Sequence, residues 1–591
     1  MKQPTIPVRT KIICTMGPSV RAYDQILKLI DAGMNVARLN FSHGSHAEHK
    51  ETIDNLKKAR KEKGVPLAIL LDTKGPEVRL GKMAGGKIAL TEGQIWKLTR
   101  EEVVGDAERA CLIPGSVIEH IPLGARVLFD NGYLASEVID KGDGWLSVRL
   151  ELGGEISSGK GVNVPSVSLN LPAVTERDIE DIRFGCQQDV DVIAASFIRS
   201  ADHVIRIKKL LEEEKKGDIL VVAKIENQEG IDHFDSILQA ADGIMIARGD
   251  LGVEVPPSRV PRLQKMMIRK CYISGKPVIT ATQMLETMIT SSRPTRAETS
   301  DVANAIYDST SAVMLSGETA VGKYPIKTVQ AMREIIAEAE SDFDFRTFFD
   351  QHAKLVFHDV PSAVTLASVN TAYSSEAKAI FVFTTSGSTA RLISRLRPKM
   401  SILALTPSFK SYNQMALNWG VIPLLRPMTT LGEAFNEASA AARALGIATD
   451  GDLVIITAGR PFGFSGTTNT MLVENIGNVV ARGTPREGRM IHGTVFILPA
   501  LAGKNPQSVK GHILVLTYCD DEFEPYIAQA TGVVLENLVD DIASEEVANR
   551  LAEKYKLPLL MRADGALRSL KEGQMITLEP EKGVIYNGVN L

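Results

Sequence analysis

The feature that most restricts how this chain can fold is a repeat of short apolar runs, each finishing on polar residues. Eight occur before residue 320: TKIICTMG (10–17), NVARLNFS (35–42), PLAILLDT (66–73), VDVIAASF (190–197), LVVAKIEN (220–227), GIMIARGD (243–250), PVITATQM (277–284) and SAVMLSGE (311–318). They are rich in β-branched residues and bounded by turn formers, so each predicts a strand. Apart from one long gap after the third, successive runs start roughly 25 to 35 residues apart, the length of a strand, a helix and two loops. The stretches between them, such as YDQILKLIDAG (23–33), HVIRIKKLLEEEKKG (203–217) and SDVANAIYDS (300–309), carry apolar residues at helical spacing. Apolar strands alternating with amphipathic helices imply a parallel sheet covered on both faces. Eight such units predict an α/β fold closed as a (β/α)8 TIM barrel, with its site at the C-terminal ends of the strands. An open doubly wound sheet fits less well, because no G-x-G-x-x-G turn follows the first strand.

The polar residues obey the barrel's rule. Arg38, Asn40 and Ser42 end the second run, Asp72 and Thr73 the third, and Ser196 the fourth. Lys224 and Glu226 end the fifth, Asp250 the sixth, Thr282 the seventh, and Ser316 and Glu318 the eighth. One polar end is a capped strand; seven predict a ring of convergent groups. Glu226 and Asp250, on adjacent strands, suit Mg²⁺ or Mn²⁺ rather than zinc. Lys224 lies two residues before Glu226 and so points to the same side of the strand. A lysine beside a metal stabilises a phosphoryl group or an enolate, and Arg38 adds a guanidinium fork for phosphate oxygens. Gly249 permits close backbone approach, and its N–H with that of Asp250 offers a carboxylate cradle. Asn40, Ser42, Asp72 and Thr73 supply mostly neutral oxygens, which reads as a hydrogen-bond network or a monovalent-cation site. The ring predicts phosphoryl transfer or enolate chemistry on a small anionic acid.

Composition removes other classes. With 591 residues the chain needs several domains, and 44% hydrophobic with 23% charged residues is ordinary for a globular protein. A net charge of -4 gives no basic field for nucleic acid or anionic membrane. No apolar run reaches the roughly 18 residues that span a bilayer, and the first residues lack the pattern of a signal peptide. Five scattered cysteines without C-x-x-C spacing argue against a disulfide framework and a zinc site. The expectation is a cytoplasmic enzyme, so Arg248-Gly249-Asp250 is not read as an adhesion tripeptide.

Seven segments together resemble the pyruvate kinase family: VARLNFSHG (36–44), LDTKGPEVR (71–79), VAKIEN (222–227), IARGDLGVE (246–254), ATQMLETM (281–288), RPTRAETSDVANA (293–305) and MLSGETA (314–320). The resemblance runs to about residue 478. It implies transfer of the phosphoryl group of phosphoenolpyruvate to ADP, giving pyruvate and ATP in glycolysis. By match to the family's motifs, Glu226 and Asp250 are the Mg²⁺ ligands, and Asp250 with Gly249 also contacts substrate. Lys224 stabilises the phosphoryl group in flight and the enolate left behind. Arg38 contacts the phosphoryl group, and Thr282, backed by Ser316 and Glu318, serves the proton delivered to the enolate. Asn40, Ser42, Asp72 and Thr73 match the potassium site, and His43, Arg79 and Lys160 the nucleotide-phosphate contacts. Glu77 stands in the GPE position that accompanies K⁺ dependence, with Thr73 and Lys74 in agreement; Leu80 stands where Thr is usual, and FDNG (129–132) where FDDG is usual. A homotetramer is also implied. Two rivals remain at this point: a barrel lyase using paired carboxylates on Mg²⁺, and a catalytically dead effector-sensing relative.

The expected domains are a catalytic barrel over 1–73 and 169–345, an inserted small β-barrel lid over 74–168, an α/β regulatory domain over 346–481, and an extra domain over 482–591. In the regulatory domain Thr384, Thr385, Ser386, Gly387 and Ser388 sit between a strand and a helix, which reads as a helix cap or a phosphate cradle. The resemblance places a phosphorylated allosteric effector there, with a second loop at RPFGFSGTTNT (460–470). The final domain resembles the swivelling phosphohistidine domain of phosphoenolpyruvate-utilising enzymes, but Ala543, Ser544 and Glu545 fall where that domain carries Thr-Ser-His. Without the histidine the expectation is a structural or assembly role, with His492 and His512 as surface or turn residues.

Overall fold

A computed structural model describes residues 8–355, 358–427, 430–461, 466–501 and 503–589. Eight strands, Lys11–Thr15, Val36–Asn40, Ala68–Asp72, Val192–Ala195, Leu220–Ile225, Gly243–Ala247, Val278–Ala281 and Ala312–Leu315, pair in chain order and close on themselves. Every pairing is parallel, from the first strand's partners round to the seventh and eighth. Side chains alternate with the pleat, which is why continuous apolar runs are needed. Ile13, Val36, Leu70, Val192, Val222, Met245 and Ile279 fill the inside, while Ile12, Ala37, Ile69, Ile193, Val221 and Ile244 pack outward against the helices. Each of the larger ones contributes about 1.5–3 kcal/mol by burial.

The sixth run departs from its predicted length. Its strand stops at Ala247, paired with Ala281, and Arg248–Glu254 turns into a short helix. The pairing ends there because Thr282 and Gln283, next on the neighbouring strand, have φ of 65° and 55° and leave the sheet. Asp250 therefore lies on a helix at the barrel mouth, not on a strand.

Between the third and fourth strands, seven strands from Val78–Leu80 to Gly161–Asn163 close a second, smaller barrel. Trp96 and Phe129 meet edge-on in its core at 5.4 Å. After the catalytic barrel comes a five-stranded sheet in the order Val421–Leu425, Ser401–Thr406, Ala379–Phe383, Leu453–Gly459, Thr468–Asn475, of which the last strand is antiparallel. It reaches back to the barrel: Ala416 and Leu417 join the inner barrel cluster, and Lys11 Nζ donates to the Val421 carbonyl at 2.8 Å. Residues 462–465 of the expected second effector loop lie outside the described residues.

Seven further strands, beginning at Val479–Thr484 and ending at Val584–Asn587, close a third barrel. Ala543, Ser544 and Glu545 lie in the first turn of helix Ile542–Tyr555, where Glu545 pairs with Arg562 and accepts from Asn537 at 2.9 Å. His492 and His512 stand on strands, not in turns, bonded to Thr577 at 2.7 Å and Thr494 at 2.6 Å. Their rings complete strand-to-strand bonds; His492 is exposed, as expected of a surface residue, and the turn alternative fails for both.

The insertion splits the barrel in sequence, and the third and fourth strands still pair in parallel, Val192 opposite Leu70. Asp191 reinforces that seam from the base of the fourth strand: its carboxylate accepts the Ile69 N–H at 2.8 Å and pairs with Arg60 at 2.8 Å. Both charged side chains are almost wholly buried. Breaking such a pair leaves an uncompensated charge, costing about 3–5 kcal/mol. Asp191→Ala is expected to lower stability by about that amount in denaturant titrations, whereas Asp31→Ala, which removes an exposed pair with Lys63, is expected to cost under about 1 kcal/mol. Equal losses would contradict the clamp.

Candidate active site

Four strand ends bring an alternating set of charges into the barrel mouth. Arg38, on the second strand, donates through Nε to Asp72 at 2.6 Å and through a terminal nitrogen to the Thr15 hydroxyl at 2.9 Å. Asp72, at the end of the third strand, is 0% exposed and receives Lys224 Nζ at 3.0 Å on its other oxygen. Lys224 also donates to the Ser196 hydroxyl at 2.7 Å and approaches Glu226 at 3.1 Å. Glu226 is fixed in turn by the Phe197 N–H at 2.5 Å, with Phe197 at a φ of 54°.

The charges set each other's protonation. Burial opposes the Lys224 ammonium, yet Asp72 and Glu226 together raise its pKa above that of an ordinary lysine. Burial would push Asp72 up, but Arg38 and Lys224 hold it below the usual carboxylate range. Glu226 is different: burial, reinforced by Asp250 and opposed by Lys224, raises it. Asp250 is raised as well, first by burial and then by Glu77 and Asp72, against Lys224. Two adjacent carboxyls that disfavour joint ionisation are a pair that a divalent cation would relieve. Among the described residues no group of three or more His, Cys, Asp or Glu has metal-site geometry, so such an ion would draw its other ligands from water and substrate.

The other expected residues fall around this centre. Asn40 Oδ1 accepts the Ser42 N–H at 3.1 Å, and the Thr73 carbonyl accepts from the Ser196 hydroxyl at 2.6 Å. The carboxylate of that group, Asp72, is shared with Arg38 and Lys224. Glu318, fully buried, accepts the N–H groups of Ser316 at 2.6 Å and Leu285 at 3.1 Å. It thereby fixes the loops after the seventh and eighth strands, and Ser316 Oγ is buried with no hydrogen-bond partner among the described residues. Thr282 Oγ1 accepts the Gly249 N–H at 2.7 Å. The second barrel closes the other side. Arg79 pairs with Glu77 at 2.6 Å, and Lys160 with Asp130 at 2.9 Å. His43 is exposed at the rim.

Asp250 lines two hollows at the mouth. One, of about 120 Å³, lies between Glu77, Val78 and Asn163 of the inserted barrel and Phe197, Asn227 and Glu254 of the main one. The other, of about 660 Å³, is bounded by Arg248, Gly249, Thr282, Gln283, Asn131 and Tyr133.

Sequence reasoning left three contributors without a role. Ser196 was visible as a polar strand end, but its bonds to Lys224 and the Thr73 carbonyl were not. Thr15 gave no signal, being one more β-branched residue in a strand. Arg248 was conspicuous, yet neither its direction nor its partners could be read. Its guanidinium turns to the seventh strand and pairs with Asp301 at 2.7 Å.

Comparison with known proteins adds a separate line of evidence. The family model "Pyruvate kinase, barrel domain" matches residues 8–329, and "Pyruvate kinase, alpha/beta domain" matches residues 362–474. Pyruvate kinases of Staphylococcus epidermidis and Staphylococcus aureus are 42% identical over 583 residues, covering 98% of this chain and 99% of each relative. A crystal structure of a pyruvate kinase from Cryptosporidium parvum superposes with a TM-score of 0.77 at 37% identity, covering 79% of this chain and 96% of that one. A barrel with this mouth, matched end to end by such relatives, belongs to the pyruvate kinase family.

Proposed function

We propose that the charged cluster at the barrel mouth carries out phosphoryl transfer from phosphoenolpyruvate to ADP, with Lys224 as its central group. The observation that carries this reading is the placement of Lys224: a buried ammonium, kept protonated by Asp72 and Glu226 and aimed among strand ends. Phosphoryl transfer needs positioning and fixed positive charge more than covalent chemistry. Lys224 supplies a charge to the transferred group and afterwards to the enolate oxygen. Arg38, fixed by Asp72 and Thr15, grips phosphoryl oxygens from the opposite side. The Gly249 and Asp250 backbone gives the substrate carboxylate room to approach. Arg79, Lys160 and His43 face incoming ADP from the insertion and rim.

Glu226 and Asp250 would hold Mg²⁺ or Mn²⁺, which when bound neutralises substrate oxygens. Asn40, Ser42, Asp72 and Thr73 would hold K⁺; a carboxamide, hydroxyls and carbonyl oxygens beside one carboxylate suit a monovalent ion better than a divalent one. The enolate then takes a proton at its methylene carbon, and the C–O⁻ becomes the keto group of pyruvate. Thr282, with Ser316 and Glu318 behind it, serves that proton. The regulatory sheet takes a phosphorylated effector at Thr384, Thr385, Ser386, Gly387 and Ser388. Support comes from the turn itself: Gly387 has a φ of 75° and donates to Thr384 Oγ1 at 3.0 Å, and Thr385 Oγ1 is buried without a partner among the described residues. A homotetramer is the assembly in which this regulation would act.

Three outcomes follow. Lys224→Met is expected to lower kcat by about 10³-fold, the scale of losing one preorganised charge from a dry site, with KM for phosphoenolpyruvate changed far less; turnover equal to wild type in a coupled pyruvate assay would end the reading. Replacing K⁺ by Na⁺ is expected to depress turnover and K⁺ to restore it; full activity in sodium alone would remove the monovalent site. Ser386→Ala with Ser388→Ala is expected to abolish the response of the phosphoenolpyruvate saturation curve to sugar phosphates or AMP. An unchanged response would return that turn to a plain helix cap.

A further inference from the structure

Arg248 is the charged residue of the mouth that the mechanism above does not use. Its guanidinium is held on two sides. On one, Nε donates to the Ala281 carbonyl at 3.3 Å and a terminal nitrogen to the Thr282 carbonyl at 2.9 Å. On the other, its terminal nitrogens meet the Asp301 carboxylate at 2.8 and 2.7 Å, and one reaches Gln264 at 3.3 Å. Asp301 lies on helix Arg296–Tyr307 and Gln264 on helix Val260–Ile273, so the plane of the guanidinium is fixed from outside the mouth. The peptides it grips are unusual. Thr282, a β-branched residue, has a φ of 65°, and Gln283 follows at 55°. Residues in this region cost of order 1–3 kcal/mol each and persist only where their surroundings hold them. Gly249 secures the other end of the same threonine, since its N–H donates to Thr282 Oγ1 at 2.7 Å and a Cβ there would come within 3.4 Å of that oxygen.

We propose that Arg248 is a positioning residue for the proton-transfer half of the reaction: it locks the Ala281–Thr282 backbone in its left-handed turn so that the Thr282 hydroxyl faces the cleft. Arg248 and Gly249 thus grip one threonine by its carbonyl and its hydroxyl. The inference rests on the reading that Thr282 serves the enolate's proton. Lysine cannot replace the arginine fully, because a compact ammonium does not span two carbonyls and a carboxylate in one plane.

The test measures exchange of the pyruvate methyl hydrogens with deuterated water by NMR, alongside steady-state turnover, in four full-length variants. Arg248→Ala is expected to lose about 10²-fold in exchange, the scale of a small misplacement of a reacting group, and distinctly less in phosphoryl transfer. Arg248→Lys should recover exchange to within about tenfold of wild type, and Asp301→Asn, which keeps both carbonyl bonds, to within about threefold. Thr282→Val is the reference. If it exchanges like wild type, the reading of Thr282 fails and the proposal falls with it. If Thr282→Val is crippled while Arg248→Ala exchanges normally, only the proposal fails. A loss in Asp301→Asn equal to that in Arg248→Ala would also overturn it, because the arginine would then act through its ion pair alone. Should Arg248→Ala not fold, Arg248→Lys decides: exchange falling no further than turnover overturns the proposal.

Discussion

The buried carboxylate of Asp72 is the constraint around which the mouth of this barrel is arranged. It is inaccessible to solvent and holds a cation on each oxygen, Arg38 at 2.6 Å and Lys224 at 3.0 Å. Neither cation could be kept in that position alone, because an isolated buried charge costs several kcal/mol. Asp72 holds both, and Glu226 adds a second partner for Lys224. In the proposed function, a substrate rich in negative charge, with a divalent ion held by Glu226 and Asp250, would meet charges already in place. Water need not reorganise around the reacting groups, which is the physical content of preorganised electrostatic catalysis.

The rest of the chain keeps this cluster in register. Across the insertion, the parallel ladder between the third and fourth strands is reinforced by Asp191, which bonds to Ile69 and Arg60. The inserted barrel meets Asp250 across a hollow lined by Glu77, Val78 and Asn163, and Arg79 pairs with that Glu77. At the opposite end of the barrel Ala416 and Leu417, in the short 3-10 helix before strand Val421–Leu425 of the five-stranded sheet, close the inner core. That domain thus packs on the floor of the same barrel whose mouth carries the charged cluster.

Much of this was legible in the residues themselves. Near-continuous apolar runs with polar ends are a consequence of a closed parallel barrel, and the eight strands lie where those runs fall. Lys224 and Glu226 share a side of one strand, so their 3.1 Å approach was implied by spacing. What could not be read were partners set by tertiary geometry. Asp72 looked like one of four oxygen donors for a monovalent ion; its role as the counter-charge of Arg38 and Lys224 depends on three strands meeting. Arg248 gave no partner from its sequence position, and its carbonyl and carboxylate partners lie at the end of the seventh strand and on a distant helix. The end of the sixth strand was placed three residues too far on, because apolar pattern carries no information about the left-handed turn at Thr282 that halts the pairing. For His492 and His512, expected as surface or turn residues, the strand partners Thr577 and Thr494 were likewise unreadable, because side-chain partners across a sheet leave no local trace.

The most direct test of the account is the rate of ADP-dependent pyruvate formation by Asp72→Asn, a substitution that keeps the shape of the side chain and removes its charge. If one carboxylate holds both cations, kcat should fall by at least about 10²-fold while far-UV circular dichroism shows the barrel intact. A folded variant turning over within twofold of wild type would contradict the claim that the mouth depends on this charge.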